Sequence, residues 1–174
     1  MLKKRLAILS ALGLLLALSG TLRGTTVERL SLDDLALRSR AIVQGTVLRA
    51  RTYWSPNGKL ILTGTTIEVS ESIKGAYSRT VEVTTVGGQI GDTILHVAGM
   101  PVFAPGENAI VFVEQSGAYL TVFGLGQGKF TVKNGEVANV VSDLSFPDGG
   151  PGRVYRMSVQ SFKNEVRSIV DRQR

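Results

Sequence analysis

The sequence predicts a mainly β domain of sandwich or small-barrel type, flanked by a short N-terminal helix and a C-terminal amphipathic helix. Apolar and polar residues alternate with a period of two in several runs between residues 41 and 141, as they do in half-buried strands. Turn-forming pairs such as Asn134-Gly135 separate these runs. Glycine is also frequent, at 20 of 174 residues, whereas an average protein has about 7%. Short strands joined by tight turns, with few helices, are typical of sandwiches and small barrels.

The N-terminus predicts a signal peptide of residues 1–19. Met1–Arg5 is basic, Leu6–Leu18 is almost entirely apolar, and Ala17 and Ser19 are small residues placed for cleavage after Ser19. The apolar core is shorter than the about 20 residues of a membrane-spanning helix, and a retained membrane anchor is the alternative. We therefore expect an exported protein, periplasmic or secreted, that has no membrane contact after cleavage.

Charge and composition exclude several function classes. Loss of the signal peptide removes three positive charges from the net +6, and the segment Gly20–Pro147 holds 11 basic and 11 acidic residues. A neutral body without a basic face argues against nucleic-acid binding. The chain has no cysteine and one histidine, His96, which excludes disulfides, thiolate metal sites and zinc sites built on two or three histidines. We expect no metal ion and no other cofactor.

The elements follow in the order helix, strands, helix. Within an N-terminal segment of residues 20–40, Ser31 and Asp34 have the spacing of a capping box, which predicts a short helix from about Leu32 to Ser39. The β region is expected over residues 41–146. Its strands are predicted near residues 41–48, 60–73, 81–86, 94–97, 109–114, 119–123, 130–133 and 136–141.

The C-terminal part is predicted to be a loop followed by a helix. Residues 147–157 contain three glycines and two prolines, which favour a flexible loop. Ser158 can then cap a helix over residues 158–174, whose apolar side chains recur at helical spacing. We expect this helix to cover one open end of a barrel, and the alternative is a docking helix for a partner.

The chain offers no legible catalytic constellation, and we expect no catalytic residue. His96 lies in an apolar run, where a structural role is expected, and no Gly-x-Ser-x-Gly elbow presents a serine. The glycine-rich segment Gly124–Lys129 lacks the first glycine of a phosphate loop, because that position is Phe123, and Phe130 stands where the loop requires Ser or Thr. These glycines therefore predict a sharp bend or bulge between two strands, or a surface for close approach by the backbone of a partner.

A family resemblance is carried by the order of five segments: RSRAIVQGTV, TTIEVSESIKG, TVEVTTVGG, MPVFAPGENAIVFVE and YLTVFGLGQGKFTV. Together they span about Arg40 to Val132. This layout resembles a group of uncharacterised exported bacterial β-barrel proteins. More distantly it is similar to the netrin-like modules, which include the inhibitory domains of the tissue inhibitors of metalloproteinases. The resemblance implies a small, closed or partly open OB-like β-barrel and favours binding over catalysis.

This chain departs from the netrin-like pattern at the inhibitory residue. Those inhibitors use an N-terminal cysteine that chelates the zinc of the target protease, and no cysteine is present here. No functional residue is therefore carried over to this sequence, and the resemblance does not establish protease inhibition.

The expected function is an exported, non-catalytic binding or interaction module with a protein partner outside the cytoplasm, one form being an accessory to or inhibitor of an extracytoplasmic hydrolase. The alternatives are an extracytoplasmic hydrolase that uses carboxylates and His96, and a saccharide-binding OB-like domain. The contact elements are expected in the turns at Tyr53–Lys59, Gly87–Asp92 and Leu125–Lys129. Adjacent aromatic residues at a strand end are typical of contact surfaces, although one of them could instead fill the barrel. The candidate contact residues are Tyr53, Trp54, Gln89, Gln127 and Lys129.

Overall fold

The computed structural model describes residues 26–172, and the structural statements below refer to that part of the chain. The signal peptide predicted at residues 1–19 lies outside the described residues. Two helices flank the strands, α1 (Leu32–Arg38) and α2 (Val159–Asp171), and a 3-10 turn spans Leu125–Gly128. The strands are β1 (Ala41–Trp54), β2 (Ile61–Lys74), β3 (Thr80–Val86), β4 (Gly88–Ile90), β5 (Thr93–Leu95), β6 (Asn108–Ser116), β7 (Tyr119–Val122), β8 (Lys129–Lys133), β9 (Glu136–Asn139) and β10 (Arg156–Ser158).

Both helices begin at the predicted caps. The Asp34 amide donates to the Ser31 hydroxyl oxygen over 3.0 Å, and the Ser31 amide donates back to the Asp34 carboxylate over 2.8 Å, which completes a capping box. Ser158 caps α2 by accepting from the amide of Ser161 over 3.1 Å. Within residues 26–172, neither helix has the length and apolar character that crossing a bilayer requires.

Eight strands form one antiparallel sheet, which confirms the mainly β prediction. The order is β10-β9-β8-β6-β1-β2-β3, and β7 pairs with the C-terminal part of β6. The strands β4 and β5 form a separate hairpin. The sheet curls until β3 lies beside β7, but no hydrogen-bonded ladder joins these two strands in the described chain. A closed barrel, one of the two forms predicted, is therefore not found.

Apolar cores cover both faces of the sheet. On one face, α1 and α2 bury a cluster that includes Phe112, Phe130 and Phe162, with ring centroids 4.5 to 6.3 Å apart. The other, concave face buries a second cluster that includes Val43 and Val111. Burial on both sides explains why residues 109–113 of β6 read as a continuous apolar run rather than as an alternating one.

Two short strands form in segments that were predicted as loops. The strand β10 lies at the end of the predicted loop 147–157 and pairs with β9, and β4 forms just after β3. The side chain of Asn139 anchors the first of these segments, because it donates to the Arg153 carbonyl over 3.0 Å and accepts from the Tyr155 amide over 2.8 Å. The Gly- and Pro-rich segment is therefore attached to the sheet at its C-terminal end.

Candidate functional site

The loops that follow β5 and β9 leave a row of three cavities on the surface, which we call the loop groove. The first cavity, of about 110 Å³, lies between the end of β3 and residues 95–103. The middle cavity, of about 190 Å³, is shared by residues 99–102, 126–131 and 140–143. The third cavity, of about 310 Å³, lies between residues 139–144 and 151–154. Neighbouring cavities share wall residues: Met100, Pro101 and Val102 line the first two, and Val140 lines the last two.

Large apolar side chains are exposed along this groove. The four most exposed ones in the described chain are Val102 (80%), Val140 (71%), Val154 (70%) and Ile94 (68%). Three of these line the cavities, and Ile94 immediately precedes Leu95, which lines the first cavity. Exposed apolar side chains grouped in this way are typical of interaction surfaces.

A partly buried lysine lies at the wall of the middle cavity. The Lys129 ammonium group donates to the Val102 carbonyl over 2.7 Å and is paired with the Glu107 carboxylate at 2.6 Å. It also lies 4.9 Å from the centroid of the Phe103 ring, which is a cation–π contact. The Lys129 and Glu107 side chains are only 14% and 12% exposed, so this pair fixes the Val102–Glu107 segment on the sheet.

Glu107 is held in its ionised form. Burial opposes ionisation, but hydrogen bonds from Lys129, Thr131 and the Ala104 amide outweigh it and keep the pKa of Glu107 below its usual value. All the donors come from this chain. Glu107 therefore supports the groove wall through these contacts.

The glycine-rich segment forms the opposite wall as the 3-10 turn Leu125–Gly128. A Cβ atom on Gly126 would lie 2.5 Å from the Val140 carbonyl oxygen, so only glycine allows the two backbones to approach this closely. The Gly126 amide also donates to the Gly99 carbonyl over 2.9 Å. The predicted bend is confirmed, and the close approach it permits is made by the backbone of this chain.

The structure brings together two of the three predicted contact elements. Trp54 at the end of β1 is 45% exposed, Tyr53 is half-buried with its hydroxyl 3.5 Å from that of Thr84, and neither belongs to a core cluster. Gln89 is exposed on β4, and the Thr52 hydroxyl donates to its carbonyl over 2.9 Å. The end of β1 and the β4–β5 hairpin are therefore neighbours beside the first cavity.

Gln127 has a role inside the chain instead of on the surface. The residue is 3% exposed, and its amide oxygen accepts from the Leu30 amide over 2.9 Å. Its amide nitrogen donates to the carbonyls of Glu28 and Gly124 over 3.0 and 3.3 Å. These bonds attach the N-terminal segment to the 3-10 turn and leave no polar atom of this side chain for a partner.

Lys129, one of the predicted contact residues, lines the middle cavity, but most of the groove was not predicted from the sequence. Val140, Asp143 and Val154 lie in the irregular segment between β9 and β10, and the path of that segment brings them to the groove. The one local signal was the presence of lone apolar residues in segments rich in Gly, Pro and Ser. His96 lies just after β5 and is exposed at the first cavity, so the structural role expected for it within a strand at residues 94–97 is not found.

Neither the models of known protein families nor the curated proteins give a match to this sequence.

Proposed function

We propose that this chain is an exported, non-catalytic module that binds a protein partner through the loop groove. The observation that carries the proposal is the position of the four most exposed large apolar side chains among residues 26–172: Val102, Val140 and Val154 line the row of cavities, and Ile94 adjoins it. Export rests on the signal peptide predicted at residues 1–19.

The exposed apolar side chains of the groove can contribute binding energy when a partner covers them. Burying a valine or isoleucine side chain stabilises a complex by about 1.5–3 kcal/mol relative to leaving it in water. Val102, Val140 and Val154 are at least 70% exposed in the free chain, so most of that stabilisation is available to a partner. The pair of Lys129 and Glu107 holds the groove wall in place beforehand, which lowers the entropy lost on binding.

Trp54 and Gln89 extend the proposed surface beyond the first cavity. Gly88, which lines that cavity, is the neighbour of Gln89 on β4. Trp54 ends β1, which is joined to β4 by the hydrogen bond from Thr52. A partner that fills the first cavity would therefore also reach these two side chains.

The fold we propose in finer terms is a partly open OB-like barrel, whose open seam lies between β3 and β7. The curl of the sheet supports it, and this fold accords with the distant resemblance to netrin-like modules. An accessory or inhibitory role toward an extracytoplasmic hydrolase is one form of the same proposal.

The test is affinity capture from the exported fraction with three tagged proteins: the native chain, the double variant Val102→Asp/Val140→Asp, and Leu48→Asp. Leu48 is 49% exposed on β1 and lines none of the three cavities, so it is the matched control. We expect the native chain and Leu48→Asp to capture the same stoichiometric protein, and the double variant to recover at least about tenfold less of it, since 1.4 kcal/mol is a factor of ten.

Melting curves of the three proteins show whether the substitutions disturb the fold. Equal capture by the folded double variant would overturn the proposed site. If the native chain captures no protein, and instead binds oligosaccharides on a glycan array, the proposal of a protein partner is wrong.

A further inference from the structure

Three separate compartments in the loop groove restrict the shape of its ligand. Each cavity, at about 110, 190 and 310 Å³, is at or below the lower limit of the about 300–1,000 Å³ of typical small-molecule sites. The segment Met100–Val102 divides the first cavity from the middle one, and Val140 divides the middle one from the third. A ligand that fills all three must therefore present several side groups from one continuous backbone.

The middle cavity offers one donor and one acceptor. Two of the three Lys129 N–H bonds reach Val102 and Glu107, and the third has no oxygen partner among residues 26–172; the ammonium group lies near the Phe103 ring, a weaker contact that an oxygen acceptor can replace. Asp143 lines the same cavity, is exposed, and accepts one hydrogen bond, from the Ser142 hydroxyl over 3.1 Å. In the described chain Lys129 and Asp143 do not form an ion pair with each other. The two side chains together match the carbonyl and the N–H of a peptide backbone.

From these observations we infer that the groove binds an extended polypeptide segment of its partner, with apolar side chains at alternate positions in successive cavities. This inference rests on the proposed function. In an extended segment, side chains on one face recur at every second residue, about 6.5–7 Å apart, and the backbone carbonyls and amides remain free. In a helix the backbone groups bond to each other, so the donor and acceptor of the middle cavity would find no partner. The third cavity, the largest, takes the bulkiest side chain.

The test uses three fluorescein-labelled peptides, of which the first two have identical composition, and measures binding by fluorescence anisotropy. One peptide carries leucines at alternate positions (Leu-Ser-Leu-Ser-Leu), and its control carries them together (Leu-Leu-Leu-Ser-Ser), both between Gly-Ser flanks. A third peptide, rich in alanine, presents leucines on one face of a helix. We expect the native chain to bind the alternating peptide at least about tenfold more tightly than either of the others, which corresponds to 1.4 kcal/mol.

Variants locate the binding and separate this inference from the proposed function. Val102→Asp/Val140→Asp should lose the preference, and Leu48→Asp should keep it. Asp143→Ala, which removes the acceptor, should weaken binding of the alternating peptide several-fold without a change in melting temperature. Equal binding of the peptides, stronger binding of the helical one, or no binding overturns the inference. If a protein is nevertheless captured in a groove-dependent manner, the inference alone fails and the proposed function stands.

Discussion

Replacing Gln127 by leucine tests the intramolecular role of this side chain. Leucine has a similar volume and keeps the site filled, so the change removes hydrogen bonds with little effect on packing. Three bonds are lost: the one accepted from the Leu30 amide, and those donated to the Glu28 and Gly124 carbonyls. The variant therefore isolates the polar attachment of the N-terminal segment.

The expected loss in free energy of unfolding follows from the burial of these groups. The bond from the Leu30 amide is buried, and leaving a buried donor without a partner costs about 1–3 kcal/mol. The two carbonyls are partly buried and can recover water, so each adds about 0.5–1 kcal/mol at most. Because bonds of one side chain are not additive, we expect about 2–4 kcal/mol in all.

The assay is urea unfolding followed by far-UV circular dichroism, with Gln89→Leu as the control. Gln89 is exposed and its side chain makes one bond, to the Gly91 carbonyl, so its replacement should change stability by less than about 0.5 kcal/mol. Tryptic cleavage after Arg29 gives a second readout, since this residue is paired with Asp148 and should become accessible when the segment detaches. If both variants unfold at the same urea concentration and resist trypsin equally, the assigned role of Gln127 is refuted.

Two further perturbations follow from charged groups. Lys74 donates to the carbonyls of Ala36, Leu37 and Ser39 at the end of α1, over 2.6 to 2.8 Å, so Lys74→Met should lower the free energy of unfolding by about 1.5–3 kcal/mol in urea melts. The control Lys59→Met, at an exposed turn, should change it by less than about 0.5 kcal/mol, and equal effects would contradict the assignment. Hydrogen bonds from Arg29 lower the pKa of Asp148 to about 2, below its unfolded value of 3.8, so the stability that this pair contributes is present above pH 4 and is lost as the pH falls toward 2. Melting temperatures between pH 5 and pH 2 should therefore fall more steeply for the native chain than for Asp148→Asn, and parallel curves would contradict the linkage.

Local signals predicted the helix ends and hairpin turns well. Ser31 with Asp34 and Ser158 cap their helices as the sequence indicated, because a cap is set by residues three positions apart. Asn134 and Gly135 both have positive φ, at 53° and 78°, as a tight turn between β8 and β9 requires. These features depend on neighbours in the chain, which a single sequence displays directly.

The contacts that the sequence did not reveal are long-range ones. Gln127 bonds to residues 97 and 99 positions earlier, and nothing near it in the sequence indicates that pairing. The strand β10 has only three residues and pairs across a Gly- and Pro-rich segment, so its local composition indicates a loop. The loop groove is formed mainly by four segments that lie far apart in the sequence, residues 95–103, 126–131, 139–144 and 151–154, and no local pattern indicates that they meet.

The central position of β1 has a consequence for how the chain folds. Its partner β2 follows directly through a short hairpin, but its other partner, β6, begins far downstream, and Ala41 pairs with Val113, about 70 residues later. Until β6 has been synthesised, the backbone amides and carbonyls on the free side of β1 have no strand to pair with. This apolar edge of the hairpin can therefore pair with another copy of the chain. We therefore expect refolding on the slow, millisecond-to-second scale of non-local β topologies, and yields that fall as protein concentration rises.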